Sequence, residues 1–396
     1  MCVLSDPLKN PFILNWRLTE IHGWGLVGVH TCLHLLRIGG SPVLYSTPDL
    51  ETMRPQTQAL LGPVGEASRR LEEVVTTLQA QGRRLHIPDA TVLYALGGMM
   101  QPSLEEQSFF GDRNVGVGAF TGTALPGKAV SDAKSYSKVV IHSTFNKQVL
   151  ADHGITSDCV FQGVDPVEVF PGVGNGMFGQ RYIVFSGGKT EFRKGQDLVV
   201  AAFRAFNQRH PDALLVTAWG NFWPGTALTL RESTVLAVPP VVGPEGVDEA
   251  GWLRANGLPE GSFFNCGFLS RQVIAQVLHN CDLGIFPNRC EPGTNLVAME
   301  AMACGVPVIL SANTGHLDLI GEDRTYVLSR QSPIVNDAEA RRYWGESDVE
   351  ELLETMEFAY QNRDDARARG KKGSDWVLGH RRWDQFAAEF VDVCLR

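Results

Sequence analysis

Short apolar runs alternate along the chain with longer stretches whose apolar residues recur every three to four positions. The short runs read as buried strands and the longer stretches as helices. In the first half, residues 12–14, 42–45, 91–96, 115–120, 139–142 and 160–162 are predicted strands. Helices are expected near 26–38, 66–81 and 144–153, with Gly154 placed to cap the last. In the second half the strands fall at 182–185, 214–219, 263–266, 282–286 and 306–310, and the helices at 196–208, 271–280 and 296–304. Helical patterns over 349–361 and 376–395 close the sequence. Strand and helix in regular alternation specify α/β architecture with parallel sheets. The Gly-rich stretch at 170–180, FPGVGNGMFGQ, is the best linker. It divides the chain into two doubly wound domains, 1–172 and 173–374, followed by a terminal helical segment, 375–396.

Residues 288–310, NRCEPGTNLVAMEAMACGVPVIL, carry the strongest chemical signal. Glu291 opens a turn of small residues, Pro292, Gly293, Thr294 and Asn295. An apolar helix follows with a second acid, Glu300, inside it, and Gly305 and Pro307 end that helix before a buried strand. Backbone N–H groups at a helix N-terminus suit a phosphate, and carboxylates beside them accept hydrogen bonds from sugar hydroxyls. A surface acid ahead of a core helix would be the plain structural alternative. It leaves Glu300 unexplained, because Glu is seldom buried without a partner. The loop also lies beyond the carboxyl end of a strand, where open α/β sheets bind ligands.

A second constellation is 187–195, GGKTEFRKG, again between a strand and a helix. Lys189 and Lys194, close to a helix N-terminus, suit a diphosphate and its departure. The alternative is a solvated basic loop. A P-loop is excluded, since Ile183 stands where that motif needs its first glycine. The third is Gly23-Trp24-Gly25, ahead of a helix, where Gly25 allows close approach of a ligand. No G-x-G-x-x-G occurs, which argues against a dinucleotide. His142 ends a strand, and a structural role for it outweighs a place in a cleft. No G-x-S-x-G elbow, H-E-x-x-H or D-x-D appears, so neither hydrolase chemistry nor a metal is expected.

Composition narrows this further. A chain of 396 residues is long enough for two cores, and 44% hydrophobic with 20% charged residues is ordinary for a globular protein. The net charge of −9 argues against nucleic acid as a partner. Eight scattered cysteines without a C-x-x-C pair point to a reducing, cytoplasmic setting. The first residues lack the pattern of a signal peptide, and no apolar run has the length of a membrane span. Association with a membrane surface stays open but is not indicated.

These residues together resemble the retaining GT-B glycosyltransferases of family four. That family's signature is an E-x7-E motif running into EAMACGxPVI, and the chain reads MEAMACGVPVI at 299–309. KGQDLVVAAF at 194–203 is similar to the family's K-G-x-D-x-L helix start. STFNKQVLADHGI at 143–155 and QGVDPVEVFP at 162–171 are similar to the end of its first domain. The likeness is good over about residues 139–320 and loose before them. It implies the GT-B fold, two Rossmann-like domains facing a cleft, with the last helix crossing back to the first domain.

It implies roles as well. Glu300 would bind the ribose, Glu291 the donor sugar, and the amides of Gly293, Thr294 and Asn295 the sugar and phosphates. Lys189 and Lys194 would hold the diphosphate, and Phe268 and Leu269 would flank the base. Two departures stand out: eight residues rather than seven lie between the acids, and Lys189 replaces the usual Arg, losing its bidentate fork. The implied activity is metal-independent transfer of a sugar from a UDP- or GDP-linked donor to a hydroxyl acceptor, which the sequence does not identify among glycans, lipid-linked and small molecules. The nucleotide sugar is a co-substrate and no cofactor is implied. A GT-B sugar-nucleotide epimerase and a non-catalytic sugar-nucleotide-binding protein are the alternatives.

Overall fold

The computed structural model describes residues 10–102, 108–271 and 273–396. They form two compact units, one running up to Gly163 and including Trp383–Arg396, the other comprising Val164–Arg382. The sequence placed the divisions at 172/173 and 374/375.

In the first unit the elements are β1 (Pro11–Asn15), α1 (Gly23–Arg37), β2 (Ser41–Leu44), α2 (Pro55–Ala80), β3 (Leu85–Leu96), β4 (Phe109–Gly118), α3 (Gly127–Ala133), β5 (Lys138–Ile141), α4 (Thr144–Asp152) and β6 (Asp158–Cys159). The six strands pair in parallel, in the order β2-β1-β3-β4-β5-β6. Crossover helices bury both faces of such a sheet, so its strands read as apolar runs rather than alternating ones. The last strand is two residues earlier than its pattern suggested.

Helix α2 begins eleven residues before its predicted start. Gly62, Pro63 and Gly65 read as breakers, yet the helix runs through them from Pro55, a residue suited to the first helical position. Its entry is held by Glu20, whose carboxylate accepts from Arg54 N at 2.7 Å and from Thr57 Oγ1 at 2.7 Å. No local pattern reveals a partner more than thirty residues away.

The second unit contains β7 (Tyr182–Gly188), α5 (Gln196–Arg209), β8 (Ala213–Trp219), the small antiparallel pair β9 (Val242–Gly243) and β10 (Gly246–Val247), and α6 (Glu249–Ala255). There follow β11 (Phe263–Asn265), α7 (Ile274–Leu278), β12 (Leu283–Phe286), α8 (Leu296–Ala303), β13 (Val308–Ser311), β14 (Tyr326–Leu328), a second antiparallel pair β15 (Gln331–Pro333) and β16 (Gly345–Ser347), α9 (Val349–Gln361) and α10 (Arg363–His380). Its main sheet is also all parallel, ordered β11-β8-β7-β12-β13-β14. Apolar layers cover it on both sides, one with α5 and α9, the other with α7 and α8. The α/β architecture with two doubly wound parallel sheets is thus the one expected.

The predicted linker at 170–180 lies within this unit and is fastened to the end of α7. His279 Nε2 donates to Phe170 O at 2.7 Å, and Gly176 N donates to Asn280 Oδ1 at 2.9 Å. The helix expected over 376–395 is two: α10 ends at His380, and α11 (Trp383–Leu395) packs on α1 in the first unit.

His142 packs beneath that helix, fully buried against Phe386 and Phe390, with ring centroids at 5.6 and 6.3 Å. Its Nδ1–H donates to Val160 O at 2.9 Å, and burial lowers its pKa to about 4. The chain's one H-x-x-x-H spacing, His30 and His34 on α1, is spent on other contacts. His30 stacks on Trp383 at 4.7 Å, and His34 Nδ1 accepts from Arg37 at 2.9 Å. Among the described residues no group of three or more potential ligands is gathered for a metal ion. No described helix is long and apolar enough to cross a membrane.

Candidate active site

Strand order in the second unit runs outward in both directions from the neighbours β7 and β12. The loops leaving their carboxyl ends therefore diverge at the topological switch point, the place where such sheets bind ligands. The first loop carries Lys189 and Lys194 into α5. The second carries Glu291 to Asn295 into α8.

A glycine lets the two loops touch. Gly195 has φ +71°, and a Cβ on it would lie 2.2 Å from Pro287 O. Gly195→Ala meets both the left-handed penalty and a backbone clash, so it is expected to cost more than ~1 kcal/mol. Urea unfolding checks this, and an unchanged midpoint would show slack between the loops.

Across that contact lies a charged cluster. The buried Glu291 carboxylate receives Lys194 Nζ at 2.5 Å, Asn288 Nδ2 at 2.8 Å and Arg193 Nη1 at 3.5 Å. Burial works against its ionisation, but Lys194 and Arg193 outweigh it and hold the carboxyl down at about 2. Burial also pulls the Lys194 pKa down, against the attraction of Glu291. Arg193 reaches Glu191 at 2.6 Å, and Lys189 Nζ lies 3.7 Å from the same carboxylate and 5.4 Å from the Trp223 ring centroid. Three cations face two carboxylates, a local positive balance inside an acidic protein.

The acid loop is anchored from beneath by Arg289, which is fully buried. Its guanidinium forms two 2.7 Å bonds to both oxygens of Asp197 in the first turn of α5, and one of 2.6 Å to Glu346. It also stacks on Phe192, 3.9 Å from the ring centroid.

The turn into α8 is held from the other side. Asn295 adopts φ +47° and caps the helix, its side chain accepting from Ala298 N at 3.4 Å. Thr314 has φ +41°, and its Oγ1 accepts from Glu291 N at 2.8 Å. Non-glycine residues in this region are strained and cluster at functional sites. Gly315 closes the contact: a Cβ there would lie 1.9 Å from Gly293 O. His316 is buried between Asn295 and Ser311, and burial lowers its pKa to about 4.

Histidines His142 and His316 thus have folded pKa values below the ordinary 6.5. The unfolded chain binds those protons more readily, so stability falls as pH drops from about 6.5 towards 4. Melting temperatures at pH 7 and 5 test this, with a smaller loss expected in His142→Phe.

Glu300 projects from α8 and is buried with Arg271, which spans it and Glu168, the latter at 3.1 Å. The lone-acid puzzle of the sequence is resolved by this shared cation. Gly293 and Thr294 are both buried in the turn, and Pro292 is partly exposed. Phe268 is about half exposed and pairs with Phe222 at 4.2 Å, whereas Leu269 packs on the core. Gly25 lies in the first unit. Its N–H donates to His22 Nδ1 at 3.1 Å, and a Cβ would strike Thr19 O at 2.1 Å, so its observed use is close packing at the start of α1. The sequence reading passed over Arg193, Asp197, Arg271, Arg289, His316, Phe222 and Trp223. Arg193 and Arg289 carried a visible signal as charges inside the motif segments, and Asp197 as the acid of the K-G-x-D-x-L match; the others carried none.

A family model described as glycosyl transferases group 1 matches residues 174–376, over half of the chain and nearly the whole second unit. The chain belongs to that family. An uncharacterized glycosyltransferase, YqgM of Bacillus subtilis, is 28% identical over 149 residues, 38% of this chain and 35% of that protein. A GDP-mannose-dependent alpha-(1-6)-phosphatidylinositol monomannoside mannosyltransferase of Mycobacterium tuberculosis is 26% identical over 208 residues, 50% of this chain and 44% of that protein. These likenesses span less than half the length of the curated relatives. Among solved structures, sucrose-phosphate synthase from Thermosynechococcus elongatus superposes with TM-score 0.67 at 17% identity, over 97% of this chain and 98% of that one. Anabaena HepE in complex with UDP and glucose gives 0.63 at 14%, over 97% and 99%. The fold is that of the GT-B glycosyltransferases.

Proposed function

We propose that this protein is a retaining glycosyltransferase that moves a sugar from a UDP- or GDP-linked donor to a hydroxyl acceptor. The observation that carries the reading is the Lys194–Glu291 contact, which joins the two motif loops at the switch point of the second sheet. The donor classes follow the mycobacterial relative, which is GDP-mannose-dependent, and HepE, whose complexes hold UDP and UDP-glucose.

In this reading the bond from the sugar's anomeric carbon to the diphosphate breaks, and its electron pair stays on the phosphate oxygen. Lys194, Lys189 and the N-terminus of α8 stabilise that developing negative charge, a task these protein groups perform in place of a metal. The acceptor oxygen bonds the anomeric carbon and its proton passes to the departing diphosphate oxygen. Glu291, ionised and fixed by Lys194 and Asn288, accepts hydrogen bonds from the donor sugar. Glu300 takes the ribose hydroxyls with Arg271 beside it, and Phe268 with Phe222 lies against the base. Likeness of the 291–309 segment to retaining enzymes supports the stereochemical course.

Glu300→Gln tests the assignment. It keeps the shape but loses the charge-assisted bonds to ribose, each worth about 1.5–3 kcal/mol. UDP or GDP affinity is expected to fall tenfold or more by titration calorimetry, and unchanged affinity would remove Glu300 from the site.

A further inference from the structure

The hydrogen bonds around His316 form a directed chain. Asn295 Nδ2–H donates to His316 Nε2 at 2.7 Å. Nε2 is therefore the bare nitrogen, and the proton is on Nδ1, which donates to Ser311 Oγ at 3.1 Å. Ser311 Oγ–H then donates to Asn288 O at 2.6 Å. The imidazole is wholly buried and both of its nitrogens are used. One end of the chain is Asn288, whose side chain also bonds Glu291. The other is the left-handed residue that caps α8 and starts the helix bearing Glu300.

This arrangement works only with a neutral ring. Because Asn295 gives its Nδ2–H to His316, its Oδ1 is left to accept from Ala298 N. A protonated Nε2 would demand the Asn295 oxygen, turn the amide over, and strip the cap from the helix. The same chain holds Asn295 at φ +47°, a conformation that Asn tolerates but does not prefer. Fixing it sets the direction of the first-turn N–H groups of α8, which have no carbonyl partner within the helix.

We propose that His316 is a positioning residue of the donor site, a neutral strut that sets Asn295 and thereby the amide array that receives the donor's diphosphate. This rests on the nucleotide-sugar reading above and adds to it a residue that touches no substrate. Its signature is selectivity. Losing the strut disorders the phosphate end of the site while leaving the base and ribose contacts of Phe268, Phe222 and Glu300 in place.

The test measures inhibition or binding constants for UDP and uridine, and for GDP and guanosine, on wild type, His316→Leu and His316→Gln. Circular dichroism melts accompany each variant. Gln carries an acceptor oxygen near the position of Nε2, whereas Leu fills the space without one. In His316→Leu the diphosphate is expected to bind at least tenfold more weakly with nucleoside binding changed less than twofold, and in His316→Gln most of the loss is recovered. Should His316→Leu fail to fold, His316→Phe, an apolar ring that offers Asn295 no acceptor, gives the same comparison beside the Gln variant. Equal losses of diphosphate and nucleoside, or wild-type affinity for both, would overturn the role of His316 and leave the donor site standing. A wild-type protein that binds none of the four compounds would bring down the nucleotide reading and the strut with it.

Discussion

Replacing Lys194 by methionine is expected to lower kcat for sugar transfer by ~10²–10³, corresponding to about 3–4 kcal/mol of lost transition-state stabilisation. The side chain is nearly buried and its ammonium sits 2.5 Å from Glu291. It is thus a charge held in place before the reaction, in surroundings that screen it little. Methionine keeps most of the volume, so the loss reports charge rather than packing. Glu291 would retain Arg193 and Asn288, and the donor KM should rise less than kcat falls. Lys189→Met is expected to do less, because Lys189 is more exposed and 3.7 Å from Glu191. Steady-state rates with a competent donor and acceptor decide it, and a Lys194→Met enzyme within threefold of wild type would remove the lysine from the chemistry.

The second large effect concerns stability. Arg289→Met is expected to destabilise the second unit by about 3–5 kcal/mol, the usual result of leaving one partner of a buried ion pair alone. Here Asp197 would be stranded at zero exposure beneath the acid loop. Removing both charges, as Arg289→Met with Asp197→Leu, should recover part of that loss. Urea unfolding of the two single variants and the double measures the coupling. Additive single losses would mean that the bidentate pair holds nothing together.

Most of the second unit was legible because its central strands, β7, β8, β12 and β13, are buried along nearly their whole length and so read as apolar runs. Tyr182, Leu214 and Val308 begin or lie in strands where the apolar runs placed them. The Glu291–Asn295 turn and the lysine loop were legible too, since Glu300 in an apolar helix has no simple packing explanation. Its partner Arg271 was not, because a three-dimensional pairing leaves no periodic trace. The same holds for Glu20 at the start of α2, where tertiary hydrogen bonds overrule three apparent helix breakers. The break at Arg381 and Arg382 was hidden by continuous amphipathic character over 376–395. There Arg382 pairs with Val164 as a short parallel bridge, a contact between residues more than two hundred apart. His316 follows no motif at all; the role proposed for it depends on the left-handed turn of Asn295, which no sequence pattern marks.

The two loops at the switch point between β7 and β12 are proposed to bind a nucleotide diphosphate sugar. Thermal unfolding in the presence of UDP, GDP, UDP-sugars, GDP-sugars and NAD, without added metal, tests it most directly. A ligand at 100 times its Kd adds about 2.7 kcal/mol to stability. A raised Tm is expected with the UDP or the GDP series, none with NAD, and a shift that is lost in Glu300→Gln. A Tm unmoved by every nucleotide, or raised equally in wild type and Glu300→Gln, would contradict it.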